Sequence, residues 1–280
     1  MSKHSATARM TIPQIRARKG GEKIVALTAY TAPMAAILDE HADLLLVGDS
    51  VGMVVHGLPS TVGVTLDMMI LHGQAVMRAA TRALVVVDLP FGSYESDPAT
   101  AYRSAVRVMQ ETGCQAVKVE ACAGAAEIIA FLNGRGIPVI GHVGLRPQAV
   151  HVDGGFKSKG RTAAERERVL AEAQAADQAG AFAIVVEGVV ASLADEITGA
   201  VGAPTIGIGA SARCDGQILV TDDMLGLFER TPKFVRRYGD MRSMVGHAVA
   251  TYAADVRSGR FPAPAELYAV TVEPEKPRSA

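Results

Sequence analysis

Leu44-Leu45-Leu46-Val47-Gly48-Asp49-Ser50 and Leu84-Val85-Val86-Val87-Asp88-Leu89-Pro90 are the stretches on which the reading of this sequence turns. Each is apolar without alternation and then delivers a carboxylate. A strand covered on both faces has this look, because neither face meets water. The same pattern of a short β-branched run closing on polar groups recurs at Ala116–Glu120, Pro138–His142 and Ala183–Glu187. Further runs are Ile24–Thr28, Thr205–Ile208 and Phe234–Arg237. Between the runs lie Ala-, Leu- and Met-rich segments with helical spacing: Pro33–His41, Leu66–Thr81, Ala99–Thr112, Ala125–Asn133, Ala163–Ala179, Ser192–Ala200 and Asp222–Glu229. Gly113, Gly134 and Gly180 stand where preceding helices should stop in a left-handed residue. Eight strands alternating with helices predict an α/β fold, a (β/α)8 TIM barrel filling the chain as one domain. Met10–Ala17 is expected as a helix before the first strand, Gly239–Ser258 as the closing helix, and the Pro-rich stretch from Phe261 onward as an irregular tail. A doubly wound open sheet is the alternative, but no G-x-G-x-x-G follows the first strand.

Composition narrows the function classes. The chain has 280 residues, with 28 Lys and Arg against 29 Asp and Glu. That balance removes the electrostatic ground for a nucleic-acid or anionic-membrane partner. No apolar run approaches the roughly 20 residues of a membrane span. Met1–Thr11 lacks the apolar core of a secretory signal. Cys114, Cys122 and Cys214 show no metal-ligand spacing and read as buried thiols of a reducing compartment, which makes the cytoplasm the expected location.

In a barrel of this kind the chemistry sits at the C-terminal ends of the strands. Asp49, Asp88, Lys118 with Glu120, His142 and Glu187 all fall there. Burying charge costs several kcal/mol unless the charge is paired or bound to metal, so this many on one rim require a reason. Asp49, Asp88 and Glu120 are hard oxygen donors suited to Mg²⁺. Lys118, on the same strand face as Glu120, suits a substrate carboxylate. Glu187 is placed to move a proton, although it also reads as a strand terminator. His142 reads equally as a hydrogen-bonded layer residue or as a catalytic one. His56, His72 and His151 read as loop or helix residues outside the site. The Gly207–Ser211 loop is a candidate anion cradle, and Asp153–Arg161 a mobile basic loop over the mouth.

Leu46-Val47-Gly48-Asp49-Ser50-Val51-Gly52-Met53, Val87-Asp88-Leu89-Pro90-Phe91, Val117-Lys118-Val119-Glu120, Gly141-His142-Val143-Gly144-Leu145-Arg146-Pro147-Gln148 and Asp215-Gly216-Gln217 together resemble the ketopantoate hydroxymethyltransferase family. The resemblance runs from about Thr11 to Pro262. It implies a Mg²⁺-dependent (β/α)8 barrel of the phosphoenolpyruvate/pyruvate superfamily type, a homo-oligomer that is typically a decamer. The implied reaction moves a hydroxymethyl group from 5,10-methylenetetrahydrofolate to 3-methyl-2-oxobutanoate, giving 2-dehydropantoate. It further implies Asp49, Asp88 and Glu120 as metal ligands and Asp49, Ser50, Asp88 and Lys118 as contacts to the oxo acid. Glu187 is implied as catalytic base. The chain departs from the family pattern at Gly63, Ser158-Lys159, Gly188-Val189-Val190 and Ser211, all outside the implied ligand set. A Mg²⁺-dependent C–C lyase or mutase on another 2-oxo acid is the alternative, without the Lys-Lys-Cys-Gly-His lid motif frequent in such enzymes. A barrel that only binds a metabolite is the non-enzymatic reading, and the intact set of rim residues speaks against it.

Overall fold

Along β3 (Leu84–Asp88), Val85 and Val87 join the apolar layer under the helices, while Leu84 and Val86 join the layer inside the barrel. That alternation is the strand's two-residue period, and it aims Asp88 at the barrel axis. In this computed structural model, which describes residues 9–268, eight parallel strands repeat the arrangement and close edge to edge. The others are β1 (Ile24–Thr28), β2 (Leu44–Val47), β4 (Ala116–Glu120), β5 (Val139–Gly144), β6 (Ala183–Glu187), β7 (Thr205–Ile208) and β8 (Gly216–Leu219). The inner layer holds Ile24, Leu44, Leu46, Ile140, Val185 and Ile218 among others, so the barrel is packed rather than hollow.

The helices are α1 (Ile12–Arg16), α2 (Ala32–Asp39), α3 (Val51–Val54), α4 (Leu66–Ala79), α5 (Pro98–Thr112), α6 (Ala125–Asn133), α7 (Val150–Asp153), α8 (Ala163–Gln178), α9 (Ala191–Ala200), α10 (Thr221–Met224) and α11 (Met241–Arg257). Thr65, Asp97 and Thr162 cap α4, α5 and α8 through their side chains. Gly113 ends α5 in the left-handed region and Gly180 follows α8 in the same way. Gly134 does not: it stays right-handed, and Gly136 makes the turn into β5.

Three expectations are corrected at the C-terminal end. The eighth strand is Gly216–Leu219, not Phe234–Arg237, which is irregular. The helix expected over Asp222–Glu229 is the single turn α10, stopped at Gly226, where φ is +72°. No helix joins β7 to β8. Gly209–Asp215 makes the whole connection, shorter than the dozen residues usual between parallel neighbours. Gly216 permits the closure, because a Cβ there would lie 2.5 Å from the Ile24 carbonyl oxygen on β1. The closing helix forms as α11, but none of its residues is buried, and Val25 on the outer face of β1 stays 46% exposed. The irregular tail is seen as far as Tyr268, and its remainder lies outside the described residues.

Gly144 ties the fold to the rim. Its φ is +98°, and a Cβ there would stand 2.3 Å from the Glu187 carbonyl oxygen and 2.7 Å from Val189 Cγ1. Gly144→Ala therefore pushes the end of β5 into the residue that carries the expected base. A loss on the order of 3 kcal/mol in urea unfolding is expected, combining a strained φ with an overpacked contact.

Candidate active site at the C-terminal rim

Parity and register assemble the site. Inner-face positions of β3, β4, β5 and β6 continue to Asp88, Lys118 with Glu120, His142 and Glu187. Asp88 is in register with Lys118, and Glu120 with His142. Asp49 follows β2, and its N–H donates to Asp88 Oδ2 at 3.1 Å. All of these except Glu187 are buried.

Lys118 Nζ lies 2.9 Å from Asp88 Oδ1 and 3.3 Å from His142 Nδ1. His142 Nδ1 is also 3.5 Å from Glu120 Oε1, and its Nε2 is 3.2 Å from Glu187 Oε2. The imidazole thus stands between the two glutamates. Glu187 keeps 18% of its side chain open, so it is reachable from the mouth. Ser50 Oγ is held 2.8 Å from the Tyr30 hydroxyl.

Charge is crowded here. Burial raises the Asp49 pKa to about 8, and Asp88 and Glu120 reinforce it against Lys118 and a hydrogen bond from Gln148. Burial likewise pushes Asp88 up, opposed by Lys118. For Lys118, burial works against the charge, but Asp88, Glu120 and Asp49 outweigh it and hold the ammonium well above its usual range. Burial and Lys118 oppose a charge on His142, yet bonds to Glu120 and Glu187 raise it to about 9. Buried carboxylates elsewhere behave differently. At the other end of the barrel Asp39 accepts N–H bonds from Thr81, Arg82 and Ala83, and these outweigh burial to keep its pKa low. Asp215 is held low in the same manner by Thr205, Gly20 and Lys19. Those two are anchors. On the rim, Asp88 accepts one backbone N–H, from Asp49, and this does not outweigh its burial.

A pH effect follows. Asp49 and His142 both have folded pKa values above their unfolded ones, so each favours folding at low pH and loses that contribution as pH rises through about 8 and about 9 respectively. With divalent ions chelated, the melting temperature should fall between pH 6.5 and pH 9. Differential scanning calorimetry checks the direction, and a flat or rising profile would contradict the assigned charge crowding.

The donor set is of the kind a hard divalent cation takes: Asp88 and Glu120 stand near enough to Asp49 to raise its pKa, and Asp88 Oδ1 is buried against the Lys118 ammonium. The set is not drawn tight. Among the described residues, no three His, Cys, Asp or Glu side chains stand as a ready ligating cluster. Lys118 now serves as the counter-charge for Asp88.

Some residues were not anticipated from the sequence. Tyr30, Tyr94 and Gln148 are buried polar groups wired to Ser50, Glu120 and Asp49. Gln148 lies within the motif Leu145-Arg146-Pro147-Gln148, the one signal available. His72 is a helix residue, on α4 as expected, and it is buried. Its Nδ1 donates to the Tyr30 carbonyl at 2.7 Å, and its Nε2 is 2.9 Å from His56 Nε2. The expected basic loop is anchored. Lys159 is buried, pairs with Asp153 at 3.0 Å and bridges to Val189 beside Glu187. The Gly207–Ser211 loop is packed by the Phe234 ring against Gly209. Cys114 and Cys214 are buried thiols, whereas Cys122 is half-buried. No described helix is long and apolar enough to cross a membrane.

The family model for ketopantoate hydroxymethyltransferase matches residues 9–264. Among curated proteins, the 3-methyl-2-oxobutanoate hydroxymethyltransferase of Phenylobacterium zucineum is 69% identical over 96% of this chain and 98% of its own. The protein of that name from Rhodospirillum rubrum is 58% identical over 95% of this chain and 96% of its own. Solved structures with the same fold include a phosphonopyruvate hydrolase in complex with oxalate and Mg²⁺, at a TM-score of 0.58 and 15% identity over 93% of each chain. Another is a 2,3-dimethylmalate lyase of the PEP mutase/isocitrate lyase superfamily, at a TM-score of 0.52 and 14% identity over 93% of this chain and 91% of that one.

Proposed function

The chain belongs to the ketopantoate hydroxymethyltransferase family, and from that premise we propose how its rim carries out the transfer. The enzyme places a hydroxymethyl group on 3-methyl-2-oxobutanoate in the route to pantothenate. In our reading Asp49, Asp88 and Glu120 hold one Mg²⁺ per subunit, and Asp49, Ser50, Asp88 and Lys118 contact the oxo acid. A hard cation at that place supplies positive charge beside the carbonyl and carboxylate oxygens of the substrate.

Lys118 neutralises the substrate carboxylate and fixes which end of the acid faces inward. The Ser50 hydroxyl, steadied by Tyr30, gives a directed hydrogen bond. Glu187 takes the proton from the branched carbon, and that electron pair moves toward the oxo group. The same carbon then bonds to the one-carbon unit of 5,10-methylenetetrahydrofolate. Both C–N bonds of that unit break, a water oxygen becomes the hydroxyl of 2-dehydropantoate, and tetrahydrofolate leaves with its two nitrogens carrying the proton taken by Glu187 and one proton of the water. His142, between Glu187 and Glu120, steadies the base. The departures at Gly63, Ser158, Gly188 and Ser211 lie on loops and leave the proposed ligands intact.

The observation that carries this reading is the run Asp88–Lys118–His142–Glu187, which links the carboxylate-bearing strands β3 and β4, through His142 on β5, to a base open to the mouth on β6. Purified protein given Mg²⁺, methylenetetrahydrofolate and 3-methyl-2-oxobutanoate should form dehydropantoate, stop on chelation and recover with Mg²⁺. Turnover indifferent to chelation would remove the metal from the scheme.

We further propose a cytoplasmic homo-oligomer, with a decamer implied by the resemblance. The exposed apolar residues Val245, Val249, Tyr252 and Val256 on α11, and the uncovered outer face of β1, support assembly. Val249→Asp with Tyr252→Asp should lower the mass seen by light scattering. An unchanged mass would take α11 out of the interface.

A further inference from the structure

We propose that Gln148, buttressed by Tyr94, is the positioning residue that presents Asp49 and Glu120 to a divalent cation. This rests on the reading that those carboxylates belong to a cation site. Gln148 is buried on the turn after β5, and each of its polar groups except its carbonyl is committed. Its Nε2 donates to Asp49 Oδ2 at 2.8 Å and to the Leu89 carbonyl at 3.0 Å. Its Oε1 accepts from the Tyr94 hydroxyl at 2.8 Å, and the Tyr94 oxygen accepts from the Glu120 N–H at 3.1 Å. Its own N–H donates to Glu120 Oε2 at 3.1 Å. One residue therefore reaches carboxylates on two strands, and its partners come from the rims of β2, β3 and β4.

The direction of every bond is fixed. Turning the amide over would set its oxygen against the Leu89 carbonyl oxygen at 3.0 Å, an acceptor without a proton to offer. Asp49 consequently has Oδ2 occupied and Oδ1 left for a ligand, while Glu120 has Oε2 occupied and Oε1 turned toward His142. Groups that orient ligating carboxylates control metal affinity as well as shape. Neither Gln148 nor Tyr94 needs to touch the substrate to do this.

Mn²⁺ titration followed by electron paramagnetic resonance tests the assignment on wild type, Gln148→Ala, Gln148→Glu and Tyr94→Phe. Wild type should bind Mn²⁺, and Gln148→Ala should bind it about 10- to 100-fold more weakly. Gln148→Glu, of the same shape, should lose at least as much, because it sets an acceptor against Asp49. Tyr94→Phe should show a smaller loss in the same sense. Turnover of Gln148→Ala should recover at saturating Mn²⁺, which a general loss of folding would not allow. Unchanged Mn²⁺ affinity in Gln148→Ala and Gln148→Glu, while wild type binds and Asp88→Asn does not, would overturn the role of Gln148 alone. Failure of wild type itself to bind Mn²⁺ would overturn the cation site and this inference with it.

Discussion

Glu187→Gln should lower kcat by about a thousandfold and leave oxo-acid binding nearly intact, within the range assigned to general acid–base catalysis. The amide matches the carboxylate in shape but accepts no proton at neutral pH. Glu187 stands at the open end of β6 with His142 Nε2 at 3.2 Å, so it alone of the rim carboxylates combines access with a partner on its inner side. The direct readout is hydrogen exchange at the branched carbon of 3-methyl-2-oxobutanoate in D₂O without folate, followed by nuclear magnetic resonance. Wild type should exchange and Glu187→Gln should not, while calorimetry still detects binding. Exchange at the wild-type rate would place the base elsewhere.

Lys118→Met should abolish turnover and destabilise the metal-free protein at pH 8 by about 3–5 kcal/mol, the usual cost of stranding buried charge. The ammonium faces Asp88 at 2.9 Å and is held charged by Asp88, Glu120 and Asp49 together. Without it those three have only His142 to offset them. The sign with pH is fixed. Asp49 and Asp88 already have folded pKa values raised above their unfolded ones, and losing Lys118 raises them further. Protonation relieves the repulsion, so the deficit should shrink as pH falls toward the ordinary carboxylate range and be largest near pH 8. Urea unfolding at pH 5.5 and pH 8 measures it. An equal deficit at both would mean that Lys118 stabilises by packing rather than by charge.

Much of the architecture was legible because strand parity is local. Position at a strand's C-terminal end is enough to put Asp88, Lys118, Glu120, His142 and Glu187 on one rim, and parity sets Lys118 and Glu120 on one face. In the structure Leu84 and Val86 face inward and Asp88 follows them. The eighth strand escaped because a parallel neighbour normally requires a helix in between. That expectation passed over Gly216–Leu219, whose Gln217 is polar and exposed, in favour of Phe234–Arg237. Tyr94 and Gln148 escaped for another reason. Their bonds join positions far apart in the chain, and no periodicity announces a partner 54 residues away. His72 looked like one more polar residue of α4, and only the Tyr30 carbonyl and His56 make it a buried link.

The seam between β1 and β8 sets a timetable for biosynthesis. Ile24 pairs with Gly216, so one edge of the first strand stays unpaired until the last has left the ribosome. At roughly 5–20 residues per second, that interval is on the order of ten to forty seconds. Throughout it the nascent chain carries a ladder of free amides and carbonyls, the condition under which edge-to-edge association begins. Val25 and Gln217 flank this seam on the outside. The join that completes the cylinder is therefore also the point at which a young polypeptide most depends on a chaperone or on a sister molecule.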